Sequence, residues 1–496
     1  MKRLFLATGF ITLSFLPLVH AVGDSMAPLT SKASDAVASS PDMFVFESNL
    51  PEYNAAYLKA RMVVANDSKH GKFIAGKGWP QVWTRDSSFS MDLSLSLLET
   101  SLCQATLLGL KQNVPGIGEC WEQDFCGHFA GWPNLTDSIV GALGAWSLYL
   151  VTGDKTTLPT FYERTVNTLR RAEQDAILTK TGLFGGCSSF MESNSAYPAK
   201  YANNGPLVAK TAALSTNALF YEGYMIAGWM ADILGKDGAP FRAKAAALKT
   251  AINKYFWQED KGYYGYFLDE DLNLHPSMEG LGEALCIRFG IADRERAMRI
   301  LHSTPTTPNG FPCLWPQLPD YMDYTARPSY RYHNGMIWPF VQGYWARAAI
   351  HLHDLKVFNL ELENLLKLSE KTETFKEFYF PEDGRPDGSS DQLWSAAGYL
   401  GMVLHGLLGM NFEESGIRFA PLVPDRFSTI SMQRIHYRQS ELDISIHGNG
   451  DRIASFKLDG KKMDHPFFDA NLSGKHQIEI RLERSEASPV GEVKIP

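Results

Sequence analysis

Eleven stretches between residues 53 and 409 carry apolar side chains at helical spacing, and this long run of helices restricts the fold more than any other feature. They span 53–66, 86–112, 135–153, 158–176, 214–235, 239–257, 278–290, 293–302, 334–353, 358–370 and 389–409. One segment missed or split would make twelve. They are not sequence repeats, but alternating short and long connections suggest a stack of helical hairpins. Three connections, 112–134, 178–213 and 303–333, are long and hold Trp, Tyr, Cys and Gly. Long loops of that composition inside a compact domain point to function rather than disorder. After residue 413 the period changes: "ELDISIHG", "RIASFKLDG" and "HQIEIRLE" read as strands, with "GNGD" and "DGKK" as turns. The expected layout is a helical domain over 43–412, a small β domain over 413–484 and a polar tail over 485–496.

The beginning of the chain reads as a targeting segment. Lys2 and Arg3 precede a short apolar run, and "VHA" offers cleavage after Ala21. A membrane anchor is the competing reading, but the run ends near Val19 and Pro17 interrupts it. Residues 1–21 are therefore expected to be a signal peptide and 22–42 a flexible leader, giving an exported protein, periplasmic or secreted, free of the membrane after cleavage.

A net charge of -8 without any basic cluster argues against a nucleic-acid partner. Aromatic residues make up 12% of the chain, with 11 Trp, which suits both sugar stacking and an aromatic core. Export would permit disulfides, and Cys120 with Cys126 is the nearest pair among six cysteines. Their spacing fits no zinc motif, and neither a metal nor a cofactor is expected.

Four stretches interrupt apolar segments with clustered polar residues. In "WPQVWTRDSSFSMDLSL", Arg85 and Asp86 follow Trp83 at a helix start, where Asp86 could equally be a cap. In "GWPNLTDSIVGALG", Trp132, Asn134 and Asp137 precede a helix, and Asp137 would also suit its dipole. In "GGCSSFMESNSAYP", Glu192 follows Phe190 and Met191; an apolar setting raises a carboxyl pKa and fits a general acid, while a solvated loop is the plain alternative. In "SYRYHNGMIWPFVQGYWARAA", His333 and Asn334 are placed to cap a helix carrying Trp338, in either a structural or a ligand-binding role. A fifth stretch, "FKEFYFPEDGRPDGSSDQLWSAA", packs Glu377, Glu382, Asp383, Asp387 and Asp391 ahead of an apolar helix that carries Gln392 and Trp394.

Together these stretches resemble the six-hairpin (α/α)6-barrel glycoside hydrolases, especially glycogen-debranching-type and family 63 glucosidases. The resemblance covers most of residues 50–410 through "WTRD", "STNA", "EGLGEA", "HNGMIWP", "EFYFPEDG" and "QLWSAA", and "GIRFAPLVP" is similar to the opening of the β domain that follows such barrels. It implies a mainly α fold, an (α/α)6 barrel with a small β-sandwich-like domain, and a pocket built by the loops at one barrel end. It places the general base at Glu377 and the general acid at Glu192, where relatives often carry Asp. Sugar-binding positions match at Trp83, Arg85, Asp86, Asp137, His333, Asn334 and Trp338. Trp132, Gln392 and Trp394 from the same stretches complete the candidate set.

Glycoside hydrolysis by inversion needs one protonated carboxyl and one ionised carboxylate, about 6.5–9.5 Å apart so that water fits between base and sugar. The expectation is an inverting, exo-acting glycosidase on α-linked glucosides. An α-rhamnosidase or α-mannosidase on the same barrel, a phosphorylase, and a non-catalytic glycan-binding protein are the alternatives.

Overall fold

The computed structural model describes residues 44–485, apart from 126–128, 130, 135–137 and 319–331. Twelve main helices in the described residues alternate between an outer and an inner layer. The outer ones are α1 (Pro51–Asn66), α3 (Thr100–Gly109), α5 (Leu158–Asp175), α7 (Ala239–Tyr255), α9 (Arg294–Ser303) and α11 (Leu355–Glu370). The inner ones are α2 (Thr84–Ser90), α4 (Val140–Thr152), α6 (Leu214–Ile233), α8 (Gly280–Arg288), α10 (Pro339–Leu352) and α12 (Leu393–Gly401). Each inner helix packs on the next and α12 returns to α2, so the inner six close a ring. This is an (α/α)6 barrel.

Burial separates the layers as the sequence pattern demands. On α1 the buried set Tyr53, Ala56, Tyr57, Ala60, Val63 and Val64 forms one stripe, as on any helix that covers a core from outside. Inner helices are buried on nearly every face: all residues of α12 and every residue of α8 except Arg288 lie inside. Close backbone approach makes this possible. A Cβ on Gly343 of α10 would sit 2.8 Å from the Gly398 Cα of α12, so glycine lets these two helices touch.

The two ends of the barrel differ. Connections from inner to outer helices are mostly tight, with Gly153 (φ 64°) and His353 (φ 62°) in the left-handed region ending α4 and α10. Connections from outer to inner helices are long and carry small antiparallel pairs, such as Ile177–Leu178 with Leu183–Phe184, Met278–Glu279 with Leu314–Trp315, and Phe378–Tyr379 with Pro386–Asp387. These long connections therefore lie at the N-terminal ends of the inner helices.

A β domain follows. Strands Thr429–Tyr437, Ser440–His447, Gly474–Glu483, Arg452–Leu458 and Lys461–Lys462 form one sheet, and Met410–Glu413, Gly416–Phe419 and Phe467–Asp469 a second. Alternating burial along Ser440–His447, with Leu442, Ile444 and Ile446 inward, gives the sheet one core face. Val45–Ser48, close to the other end of the chain, pairs antiparallel with Thr429–Tyr437 as an edge strand. Four residues of "VFES" carry too little pattern to announce that pairing.

Several helix bounds move relative to the sequence reading. The helix expected over 86–112 begins at Thr84, widens into a π-helical turn at Met91–Leu95, breaks at Glu99 and ends at Gly109. His333 and Asn334 do not cap α10: Gly335 (φ 89°) turns the chain, an extended segment follows, and Pro339 opens the helix behind Trp338. Residues 389–392 likewise precede α12, with Asp391 at φ 47° in the turn. In the described residues no helix is long and apolar enough to cross a membrane. Cys103, Cys120, Cys286 and Cys313 are buried free thiols and Cys187 is buried too; Cys126, the suggested partner of Cys120, lies outside the described residues.

Candidate active site

Arg85 is the centre of the site. Its place at the second position of α2 is fixed by Asp124, which arrives from the α3–α4 connection and accepts the main-chain N–H groups of Thr84 (2.8 Å) and Arg85 (3.0 Å). A carboxylate from a remote loop thus satisfies two of the donors that begin every helix. Asp86 is no cap: it is 1% exposed, its Oδ2 lies 3.5 Å from Arg85 Nε, and Gln392 Nε2 donates to its Oδ1 at 3.5 Å. The Arg85 guanidinium also faces the rings of Trp83 and Trp394 at 5.9 and 5.7 Å.

Glu192 approaches from the α5–α6 connection. Its Oε2 lies 3.2 Å from Arg85 Nη1 but accepts no aligned hydrogen bond in the described residues. Burial pushes its carboxyl up to about 7, against the pull of Arg85. Glu377, from the α11–α12 connection, is as deeply buried but differently solvated. Its Oε2 accepts Ser389 N–H (2.8 Å) and Trp79 Nε1–H (3.1 Å), and Tyr332 O–H donates to its Oε1 at 3.3 Å. Burial raises this carboxyl, while the three donors and Arg85 draw it back. Gly388 (φ 74°) allows the fit, because a Cβ there would meet Glu377 Oε2 at 2.6 Å. Asp86 is lifted to about 7 and Asp124 is raised, both first by burial, so four carboxyls share one guanidinium.

Aromatic and neutral polar groups build the walls. The Trp338 ring stacks on His333 and Phe378, and its Nε1–H donates to the Tyr332 carbonyl at 2.7 Å. Trp394 stacks on Phe340 at 4.1 Å. His333 is fully buried 3.0 Å from the Ser193 hydroxyl, and burial with Arg85 nearby drives its pKa well below the ordinary value, so the ring is neutral. Asn334 accepts Leu318 N–H (2.8 Å) and donates to the Leu318 carbonyl (3.3 Å), which ties two parts of the α9–α10 connection together.

The structure brings Trp83, Arg85, Asp86, Glu192, His333, Trp338, Glu377, Gln392 and Trp394 to one end of the barrel. Trp132 turns aside: its indole donates to Asp175 (2.7 Å) and covers Arg171 at 3.8 Å, both on outer helix α5. That cation–π and hydrogen-bond pair gives Trp132 a structural anchor. Asp137 lies outside the described residues. Asp124, Trp79, Tyr332 and Ser389 were not singled out from sequence. Trp79 could have been noticed in "GKGWPQVW", whereas nothing local marks Asp124. In the described residues no group of three His, Cys, Asp or Glu side chains is arranged to hold a metal.

Residues 132–395, which contain both glutamates and most of this ring, match the family model described as mannosylglycerate hydrolase MGH1-like glycoside hydrolase domain. The chain belongs to this glycoside hydrolase family. Residues 410–464 match the C-terminal domain of glycosyl hydrolase family 65. No curated protein matches the chain. Among solved structures, a sialidase superposes with TM-score 0.67 at 15% identity over 85% of this chain. This chain spans 40% of that protein's length. A family 63 mannosylglycerate hydrolase from Thermus thermophilus superposes with TM-score 0.53 at 16% identity, over 70% of this chain and 100% of its own. A family 78 rhamnosidase from a Bacillus species gives TM-score 0.57 at 16% identity, over 82% and 42%. At these identities the superpositions speak for the shared barrel fold.

Proposed function

We propose that the enzyme is an exported, inverting, exo-acting hydrolase of α-linked glucosides, with Glu192 as general acid and Glu377 as general base. The observation that carries this is the unequal solvation of two buried glutamates beside one arginine. Glu377 receives three hydrogen bonds that favour its ionised form, whereas Glu192 Oε2 has only a charge contact. Groups whose surroundings separate their protonation in this way suit an acid and base pair. Glu192 protonates the leaving oxygen, and Glu377 takes a proton from the water that attacks the anomeric carbon. Arg85, Asp86 and Gln392 hold sugar hydroxyls, and Trp83, Trp338 and Trp394 offer apolar faces to the ring.

Export rests on the basic and apolar start of the chain. A panel of aryl α-glucosides, α-mannosides and α-rhamnosides tests the substrate; the last two are included because neighbours of the same fold are named mannosylglycerate hydrolase and rhamnosidase. An anomer-resolved NMR time course should show inversion. Retention of configuration, or no turnover of α-glucosides beside turnover of another sugar, would replace this reading.

A further inference from the structure

The reaction proposed above uses the N-terminal ends of the inner helices. Their C-terminal half holds a second charged cluster that it leaves unused. Asp92, in the π-helical turn Met91–Leu95, accepts both arms of Arg288 (2.5 and 2.7 Å), the Tyr344 hydroxyl (2.8 Å) and the Ser147 hydroxyl (2.8 Å). Arg347 donates through Nη1 to the Asp92 carbonyl at 2.6 Å and reaches Asp92 Oδ2 at 3.3 Å. Burial alone would raise Asp92, but the two guanidiniums outweigh it and hold it at about 2. One ionised carboxylate therefore faces two arginines. The other acid here, Glu222, is pushed up to about 8 by burial, against the pull of Arg288. Asp92 is thus shared by two guanidiniums whose side chains keep 16% and 14% of their surface exposed.

Beside it opens a cavity of about 140 Å³, walled by Arg288, Arg347, Glu222, Ser96, Trp146 and Trp229. The two indoles stack at 5.3 Å. Ser96 is 3% exposed and its hydroxyl has no hydrogen-bond partner in the described residues. Arg347 spends Nη1 on Asp92, and its Nε–Nη2 edge meets no acceptor in the described residues. That edge is a planar fork matching the two oxygens of a carboxylate. By this measure a single water needs about 10–15 Å³, so the space holds a small organic molecule.

We propose that this cavity, at the opposite end of the barrel from Glu192 and Glu377, is a second binding site for a small carboxylate anion. The Nε–Nη2 edge of Arg347 grips the carboxylate, the Ser96 hydroxyl donates to it, and the Trp146–Trp229 pair covers its apolar end.

Isothermal titration with sodium acetate and sodium lactate, in a fixed sodium chloride background, tests the site on the full chain. Saturable binding of one carboxylate per chain is expected, with a change in tryptophan fluorescence. Arg347→Met should weaken it at least tenfold. Because that change also touches Asp92, Leu150→Trp, which fills the cavity from its wall, gives an independent test. It should abolish carboxylate binding while aryl-glycoside turnover stays at the wild-type level. Absence of saturable binding in the wild type, or binding that survives Leu150→Trp, would overturn the proposal.

Discussion

Glu377 and Glu192 show how one residue type acquires two behaviours from its neighbours. Glu377→Gln keeps the shape and the Trp79 contact region but cannot accept a proton; kcat should fall by about 10²–10⁴ with an unchanged melting temperature. The pH profile of kcat/KM checks the other glutamate. Glu192 is held up to about 7, so in its proposed role as general acid it loses the proton to be donated as pH rises through that value, and the alkaline limb should fall there. Trp79→Phe deletes one donor to the Glu377 carboxylate. Its ionised form is then less favoured, so the acid limb should shift to higher pH while the alkaline limb stays in place. At this scale the motifs made both glutamates candidates, and the structure places both beside Arg85. The motifs missed Trp79 and Tyr332 because the hydrogen bonds that tune Glu377 come from loops 298 and 45 residues away in the chain.

The elements matter through their ends and their contacts. Asp124 completes the first turn of α2 from another loop, so Asp124→Ala should cost about 1 kcal/mol of stability. It should also lower kcat/KM by releasing Arg85, and a urea titration beside steady-state kinetics separates the two effects. Gly398 marks a close helix contact, since its Cβ would lie 2.7 Å from the Pro339 carbonyl. Gly398→Val should destabilise the barrel by about 1–3 kcal/mol, seen as a lower urea midpoint with unchanged slope. Periodicity located the helices well along α5, α6 and α7, where apolar spacing and loop residues agree. It failed at the starts of α10 and α12. Ahead of α10 buried apolar residues such as Ile337 sit in extended bridges, and an apolar run alone does not distinguish a buried strand from a buried helix. Ahead of α12 the residues are polar, and Asp391 (φ 47°) holds them in a turn.

Across the whole molecule, many carboxyls are buried with raised values: Asp67 to about 9, Glu222 to about 8, and Glu279 and Glu361 to about 7. Each stays protonated in the folded protein at a pH where the unfolded chain has already ionised it. The folded state then binds more protons, so stability falls as pH rises through this window. Asp92 has the opposite sign: its contribution is present above the ordinary carboxylate range and is lost as pH falls toward about 2. Calorimetry should therefore find a lower melting temperature at about pH 8.5 than at about pH 7, a range in which the unfolded chain's histidines are mostly neutral, as buried His333 is in the fold. The sequence by itself determined the helical period, the switch to strands after the barrel and the motif order that marks a glycoside hydrolase, because these are local patterns along the chain. Only the tertiary structure decided that Asp124 caps the helix of Arg85, that Trp132 turns to an outer helix, that Val45–Ser48 joins the distant β sheet and that two arginines meet at Asp92. Those contacts follow from closing a ring of six helices, which brings side chains together by geometry rather than by their spacing in sequence.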